Sequence, residues 1–318
     1  MPETIALSLF LVVGAWALAA GARRVWRGHA SLTWPTVAGA VTASSVERSV
    51  STDARTRRTT VTHGARVVVR YRVDGRNYET TTLRFGQLAG SSDPSEAAVR
   101  RLRYPVGSTV RVSHHPADPA LATVEPGVDP EAFWLPGAGV AFATAGVLFV
   151  VMHRASTTGG GMATALTLFG LIFGAIGVAL LAPGLVAVAR GRASADWPAA
   201  AGVIVMGATP DTAGADTAGN EIEAGRVVYA YEAGGKRRYG NVRAFGQVSS
   251  RGGDAEAAIA ARYPRGRAVT VRYAPDRPDL AVLEPGVARE AWMLPAAGLA
   301  FLAFGAAVLR WAVPALGG

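Results

Sequence analysis

Apolar positions follow two different periods along this chain, and the switch between them divides it into alternating blocks. Four blocks are predominantly apolar: residues 5–22, 133–152, 163–189 and 291–311. Arg310 is the only Asp, Glu, Lys or Arg in any of them. About 20 such residues, at 1.5 Å rise each, cross a hydrocarbon core of roughly 30 Å. Core helices of soluble proteins seldom run so long and so apolar without a charged residue, so four transmembrane helices are expected. A cleaved signal peptide is the rival for the first block. It lacks the basic leading segment, since Met1–Thr4 carries only Glu3 and the arginines follow the apolar run. The third block is long enough to tilt or to kink near Pro183.

Between the apolar blocks the period shortens to two. Val67, Val69, Tyr71 and Val73 share one face of a predicted strand, and Arg66, Val68, Arg70 and Arg72 share the other. Val227, Tyr229, Tyr231 and Ala233 make the same inner face further on. Asp74-Gly75 and Gly234-Gly235 follow these strands where a two-residue hairpin turn needs positive φ. Asp93-Pro94-Ser95-Glu96 carries an N-cap acceptor, a first-turn proline and a first-turn acid. It opens a short helix with Ala98, Val99 and Leu102 inward, and that helix stops before Tyr104-Pro105. A second helix runs from near Asp254 to Tyr263-Pro264. Val110 with Val112, and Val269 with Val271, mark another strand in each block, and residues 121–124 mark a last one. With an opening strand at Thr36, each block holds about five strands and one short helix, a small curled sheet or barrel. The loops at 51–62, rich in arginine, and at 207–225, small and acidic, are expected to be mobile.

The two β-rich blocks are copies of one another. Arg27-Gly28-His29-Ala30-Ser31 with Trp34-Pro35 answers to Arg190-Gly191-Arg192-Ala193-Ser194 with Trp197-Pro198. Phe85-Gly86-Gln87 recurs as Phe245-Gly246-Gln247, Tyr104-Pro105-x-Gly107 as Tyr263-Pro264-x-Gly266, and Glu125-Pro126-Gly127-Val128 as Glu284-Pro285-Gly286-Val287. Pro136, Gly139, Phe142 and Gly146 answer to Pro295, Gly298, Phe301 and Gly305 within the apolar blocks. A helix–domain–helix unit has been duplicated with the same order and orientation, giving a parallel repeat. The expected class is an α+β membrane protein with four transmembrane helices and two repeated small β-rich soluble domains. Its expected divisions are helix 1 at 1–22, the first domain at 23–131, helix 2 at 132–152, a short loop at 153–161, helix 3 at 162–189, the second domain at 190–290 and helix 4 at 291–313.

The Trp-Pro opening, the Tyr71…Gly75…Tyr78 hairpin, Tyr-Pro-x-Gly and the Pro116-x-x-Pro119…Glu125-Pro126-Gly127 ending together resemble the bacterial domain of unknown function 3592, in two tandem copies. The resemblance implies membrane-anchored domains and carries over no reaction, ligand or catalytic residue. The first copy departs from the second at His114-His115-Pro116, where the second has Tyr273-Ala274-Pro275.

Composition narrows the chemistry. The chain has no cysteine, which excludes disulfides, thiolate nucleophiles and Cys-based zinc sites. Lys236 is its only lysine, and the Arg, Ala and Gly usage is that of a GC-rich bacterial genome. Arg23, Arg24, Arg27, Arg190, Arg192 and Arg289 flank the apolar blocks on the domain side, against Arg154 and Arg310 on the other. The positive-inside rule therefore places both domains in the cytoplasm of a bacterial cell, as parts of a multi-pass protein of the cell membrane. The first domain carries 16 arginines against 10 acids and can face anionic lipid headgroups, with Arg55, Arg57, Arg58, Arg70 and Arg72 as the candidate lipid or partner surface.

No catalytic constellation emerges. Adjacent residues of a strand point to opposite faces, so His114 and His115 cannot chelate one ion, and no metal or cofactor is expected. Glu125 and Glu284 precede Pro-Gly turns without a second acid–base group beside both, so a turn role is expected. Arg70-Tyr71-Arg72 imitates a nucleic-acid stripe, but its tyrosine points away from its arginines, so no nucleic acid is expected. The apolar blocks lack the ionisable groups of ion and proton pathways. Their glycines stand out instead. Gly139, Gly146, Gly170, Gly174, Gly298 and Gly305 are candidate helix-packing positions that join the spans to one another or build a homo-oligomer. The expected function is a non-enzymatic scaffold or binding module presenting paired β-domains to a membrane protein partner or a lipid headgroup. A sensor or accessory subunit binding a small ligand is the alternative, and an enzyme with a site between the domains is a weaker one.

Overall fold

The period-two segments form strands where their alternation places them. A computed structural model describes residues 2–52, 57, 59–87, 90–91, 93–157, 161–207, 227–247 and 253–312. Helix α1 (Pro2–Ala30) leads into β1 (Thr36–Thr52), β2 (Thr59–Val73), β3 (Arg76–Thr80), α2 (Pro94–Arg103), β4 (Thr109–His114), β5 (Ala122–Thr123) and α3 (Trp134–Thr157). The second copy repeats this as α4 (Gly161–Ser194), β6 (Ala199–Met206), β7 (Val228–Ala233), β8 (Lys236–Gly240), α5 (Gly253–Arg262), β9 (Ala268–Tyr273), β10 (Ala281–Val282) and α6 (Met293–Ala312).

Each copy is one antiparallel five-stranded sheet, ordered β3-β2-β1-β4-β5 and β10-β9-β6-β7-β8. Matching bulges fall between Val41 and Ala43 and between Ile204 and Met206, which bend the central strand of each sheet. The hairpin turns adopt the expected left-handed conformation, with φ of 47° and 81° at Asp74 and Gly75 and of 61° and 67° at Gly234 and Gly235. Beyond β3 and β5 the chain pairs again. The Val124 and Glu125 amides donate to the Thr82 and Leu83 carbonyls, and Phe85 bridges Val128. The two edges of the curled sheet thus meet around a core of Val41, Val67, Val69, Tyr71, Val112 and Tyr104.

A size exchange keeps the second core equivalent. Val69 faces Thr80 in β2–β3, and the Thr80 hydroxyl donates to the Ala122 carbonyl at 3.0 Å. In β7–β8 the pair is Tyr229 and Gly240, and the Tyr229 hydroxyl reaches the corresponding Ala281 carbonyl at 2.9 Å. A Cβ at Gly240 would lie 2.7 Å from the Tyr229 ring, so the bulk moved to one strand requires glycine on the other.

The hairpin β1–β2 is longer than expected. Ser51 pairs with Thr60 and Thr52 with Thr59, so both ends of the 51–62 segment, 51–52 and 59–62, are strand rather than loop. The 207–225 segment lies, after Gly207, outside the described residues.

The repeat motifs are the joints between helix and sheet. The Ser31 hydroxyl donates to the Gly28 carbonyl at 2.7 Å and accepts from the Gly127 amide at 2.9 Å. Ser194, Gly191 and Gly286 repeat this at 2.7 and 3.0 Å. Trp34 packs edge-on against Phe85, as Trp197 does against Phe245. The Tyr71 and Tyr231 hydroxyls donate to the Pro119 and Pro278 carbonyls, both at 2.6 Å.

The helices pair as α1 with α3 and α4 with α6, with a further contact between α3 and α4. α1, α3 and α4 are longer than their apolar blocks, α6 covers nearly all of its own, and α1 and α4 continue through their arginines to the sheet. Among the described residues, two helical stretches are long and apolar enough to cross a membrane, Ala163–Ser194 and Arg289–Trp311, and only 17% of each one's most apolar stretch is buried.

Candidate functional site

The two copies touch through α2 of the first and β7 and β8 of the second, and the contact is asymmetric. Alternation in β2 is apolar against Arg, but the corresponding run Val227-Val228-Tyr229-Ala230-Tyr231 is apolar at every position and buried on both faces. The reason is α2 of the first copy. Its Ala98 and Val99 cluster with Val228 on the outer face of the second sheet, with Leu102, Val205 and Tyr239 around them. Sequence reasoning turned those α2 residues toward their own sheet, whereas they serve the neighbour's. The unbroken apolar run at 227–231 was the available signal. Polar bonds complete the joint: Asn241 donates to Ser95 at 3.0 Å, and Arg103 lies 4.0 Å from Asp279, which Arg238 also binds at 2.6 Å.

Beside this joint lies a cleft of about 1000 Å³ with walls from both copies. The first copy supplies Glu96 and Arg100 of α2, Arg103, Arg111 of β4, Arg84, Glu125 and Asp129. The second supplies Arg238, Asn241 and the loop Asp276–Leu280.

Glu125 is the most tightly held group there. Its Oε1 accepts from the Tyr104 hydroxyl at 2.5 Å and from Arg103 at 3.2 Å, and its Oε2 pairs with Arg84 at 2.9 Å. Glu284 repeats the arrangement with Tyr263 at 2.7 Å, Arg262 at 3.2 Å and Arg243 at 2.8 Å. Tyr-Pro-x-Gly and Glu-Pro-Gly are therefore two halves of one clasp that fastens the end of the short helix to the sheet edge. The sequence offered its elements as repeat-matched residues, but their contact is long-range. Arg84 and Arg243 take the same role from positions one residue out of register, as the bonds from Glu125 to the Leu83 carbonyl and from Glu284 to the Arg243 carbonyl show. A carboxylate bound on both oxygens by two guanidinium groups and a phenol is a structural anchor, not a free base. Arg84 Nε and Glu96 Oε2, in the cleft wall, are buried without a hydrogen-bond partner among the described residues.

The clasp leaves its mark on titration. Burial, reinforced by the Glu284 carboxylate, pushes the Tyr263 phenol up to about 12. Burial raises Tyr104 further, with Glu125 adding to it. Tyr71 and Tyr231 rise to about 12, chiefly through burial. Folded-state values above the ordinary 10 mean that the stability these groups lend is intact below pH 10 and falls as pH rises toward about 12. Absorbance at 295 nm should therefore show a tyrosine fraction that resists ionisation at pH 10 and titrates only with unfolding. A single transition at the free-tyrosine value would contradict the clasp.

The glycines chosen from sequence fall differently. A Cβ at Gly139 would come 2.7 Å from the Leu18 amide nitrogen, at Gly298 2.8 Å from the Gly177 carbonyl, at Gly305 2.7 Å from the Gly170 carbonyl, and at Gly170 2.9 Å from the Gly305 carbonyl. These four sit at helix crossings. Gly146 is buried on α3. Gly174 faces open space, although Gly305 approaches its backbone. Gly14, Gly21, Gly177 and Gly184 were not chosen, yet they meet Gly139, Pro136, Gly298 and Pro295. Their signal was a seven-residue spacing that continues to Gly28 and Gly191.

Of the candidate surface arginines, Arg55 and Arg58 lie outside the described residues, and Arg57 is exposed with φ of 52°. Arg70 pairs with Glu79 at 2.7 Å, and Arg72 donates to the Gly75 carbonyl, both on the exposed face of β2 and away from the cleft. His114 is buried, and His115 accepts the Ala117 and Asp118 amides.

A family model described as Domain of unknown function (DUF3592) matches residues 37–129 and 205–288. No curated protein matches the chain.

Proposed function

The chain belongs to the DUF3592 family, with two tandem copies of that domain, and from this premise we propose a four-span membrane protein whose joined sheets form a non-enzymatic binding module at the bilayer surface. The span reading starts from α4 and α6 and extends to α1 and α3 through the duplication. Gly14 meets Gly139 as Gly177 meets Gly298, and Gly21 meets Pro136 as Gly184 meets Pro295. Val12, Trp16, Val140 and Val147 on α1 and α3 are exposed, as lipid-facing residues are. Exposed Trp292 and Trp311 bracket the last span about 28 Å apart at the helical rise, close to the hydrocarbon thickness. Arginine on the domain side supports cytoplasmic sheets.

The observation that carries the binding role is the cleft. It is concave and lined by convergent polar groups from two copies, which favours a small ligand over a flat scaffold surface. A non-enzymatic reading agrees with the clasped Glu125. The topology is tested by a periplasm-active reporter inserted in the 153–161 loop and, separately, at Gly214. Signal from the loop alone, with the chain retained in membranes after alkaline extraction, is expected. Signal from Gly214 alone reverses the orientation, and release by alkali removes the membrane reading.

A further inference from the structure

We infer that the cleft between the two sheets binds a phosphate-bearing anion, held by Arg100 and Arg111 of the first copy and Arg277 of the second. The inference rests on the binding-module reading and names its ligand class.

Net charge alone does not carry it, since six arginines of the cleft face five carboxylates. What matters is which of them are already engaged. Arg84 and Arg103 are bound to Glu125, and Arg103 and Arg238 face Asp279. Asp129 caps the Glu131 amide at 3.0 Å. Glu96, one turn before Arg100 on α2, is that arginine's electrostatic neighbour; burial raises its carboxyl, while a bond from Ser91 and the charge of Arg100 act against the rise. That leaves three guanidinium groups, Arg100, Arg111 and Arg277, without a carboxylate at ion-pair distance among the described residues. Arg111 and Arg277 are exposed, and Arg100 binds the neutral side-chain oxygen of Gln87 at 2.7 Å once that amide is turned to face it. Asp276 and the unpartnered Oε2 of Glu96 stand against them among the described residues. Three guanidinium groups from three segments line one cleft, and guanidinium groups bind phosphate oxygens in pairs of parallel bonds.

The duplication supplies independent support, because equivalent positions can be compared where only one copy faces the cleft. Arg100 corresponds to Ile259, as the Tyr104 and Tyr263 amide bonds to their carbonyls fix. Arg111 corresponds to Thr270, as the pairings of Ala38 and Ala201 fix. Arg277 corresponds to Asp118, whose carbonyls accept the Leu280 and Leu121 amides. At these three positions arginine stands where a copy borders the cleft and a neutral or acidic residue where it does not, whereas at Ser113 and its counterpart Arg272 the order is reversed. Joining the two sheets accounts for Asp279, Arg238 and Asn241, but it leaves Arg100, Arg111 and Arg277 without a role.

The test uses the full chain in phosphatidylcholine nanodiscs, titrated with inorganic pyrophosphate by calorimetry. In parallel, native mass spectrometry reads lipid retained from phosphatidylcholine doped with phosphatidic acid. Arg111→Gln with Arg277→Gln, both exposed and outside the clasp, should weaken whichever binding is seen by about tenfold or more. Asp276→Asn should tighten it. Arg76→Gln, at an exposed arginine that opens β3, should leave it unchanged. Pyrophosphate binding in neutral discs identifies a soluble phosphate ester, and selective retention of phosphatidic acid identifies a headgroup. Absence of both overturns the inference, as does equal weakening by Arg76→Gln, which would signal diffuse attraction. Topology and alkaline extraction do not depend on these arginines, so the membrane reading and the ligand class fail separately.

Discussion

Gly298→Ile is expected to separate α6 from α4 and to lower the stability of the chain in detergent by about 3 kcal/mol or more. The first added carbon would sit 2.8 Å from both the Gly177 carbonyl oxygen and the Leu181 amide nitrogen. Both are backbone atoms of a helix, so neither can rotate aside as a side chain would. Relief requires the helices to move apart, and that loosens the neighbouring contacts at Gly170–Gly305 and Gly184–Pro295 together with the stacked Phe173–Phe301 pair. Between helices in lipid there is no hydrophobic effect to restore the contact, because acyl chains solvate the freed surfaces equally well. Gly174→Ile is the matched control. Its Cβ direction is open, so the same residue change on α4 should cost well under about 1 kcal/mol. Thermal unfolding followed by circular dichroism checks both. Equal shifts for the two variants would mean that the seam does not hold the pair.

The contrast between Gly298 and Gly174 shows what the sequence could convey. Periodicity is a local property, so the strands, the hairpin turns, the short helix and the apolar helices were all legible. Inner faces such as Val67, Val69, Tyr71 and Val73 are buried as read. Duplication was legible because it compares the chain with itself. Long-range contacts were not. The Gly-x-x-x-Gly spacing pointed to Gly174, whereas the seam follows every seventh residue, from Gly170 through Gly177 and Gly184, as an antiparallel partner crossing at a shallow angle requires. Glu125 was read as a turn residue because its partners stand 21 and 22 positions earlier in the chain, at Tyr104 and Arg103. The cleft was invisible for a deeper reason. It arises from how one copy leans on the other, and a repeat read as two equal units predicts equal surroundings. The traces of inequality were the apolar run at 227–231 and the arginines at 100, 111 and 277 that lack counterparts. They acquire meaning only once α2 is seen on the second sheet.

Glu125→Ala tests whether the clasp holds the first sheet together, and it should cost about 2 kcal/mol. Hydrogen bonds to charged groups contribute about 1.5–3 kcal/mol each when shielded. Here the carboxylate side chain is 25% exposed and its arginines 34–36%, so water screens much of the attraction. The estimate takes the lower part of the range for the whole cluster. The loss is larger than for an ordinary surface pair because three donors are stranded at once, the buried Tyr104 hydroxyl among them. Glu125→Gln should cost roughly half as much, since an amide oxygen still accepts from the phenol while both ion pairs weaken. Glu284→Ala removes the equivalent clasp and should destabilise the second sheet to a similar degree. The two differ in consequence: Glu125 lines the cleft and Glu284 does not, and only Glu125 restrains Arg103, which also faces Asp279 across the joint. Hydrogen exchange should therefore show Glu284→Ala loosening amides of its own sheet alone. Glu125→Ala should loosen the first sheet and, through Arg103, the contact of α2 with β7 and β8. Protection unchanged at that contact in Glu125→Ala would show that the joint rests on Ala98, Val99 and Val228 alone and that the clasp has no reach beyond its own sheet.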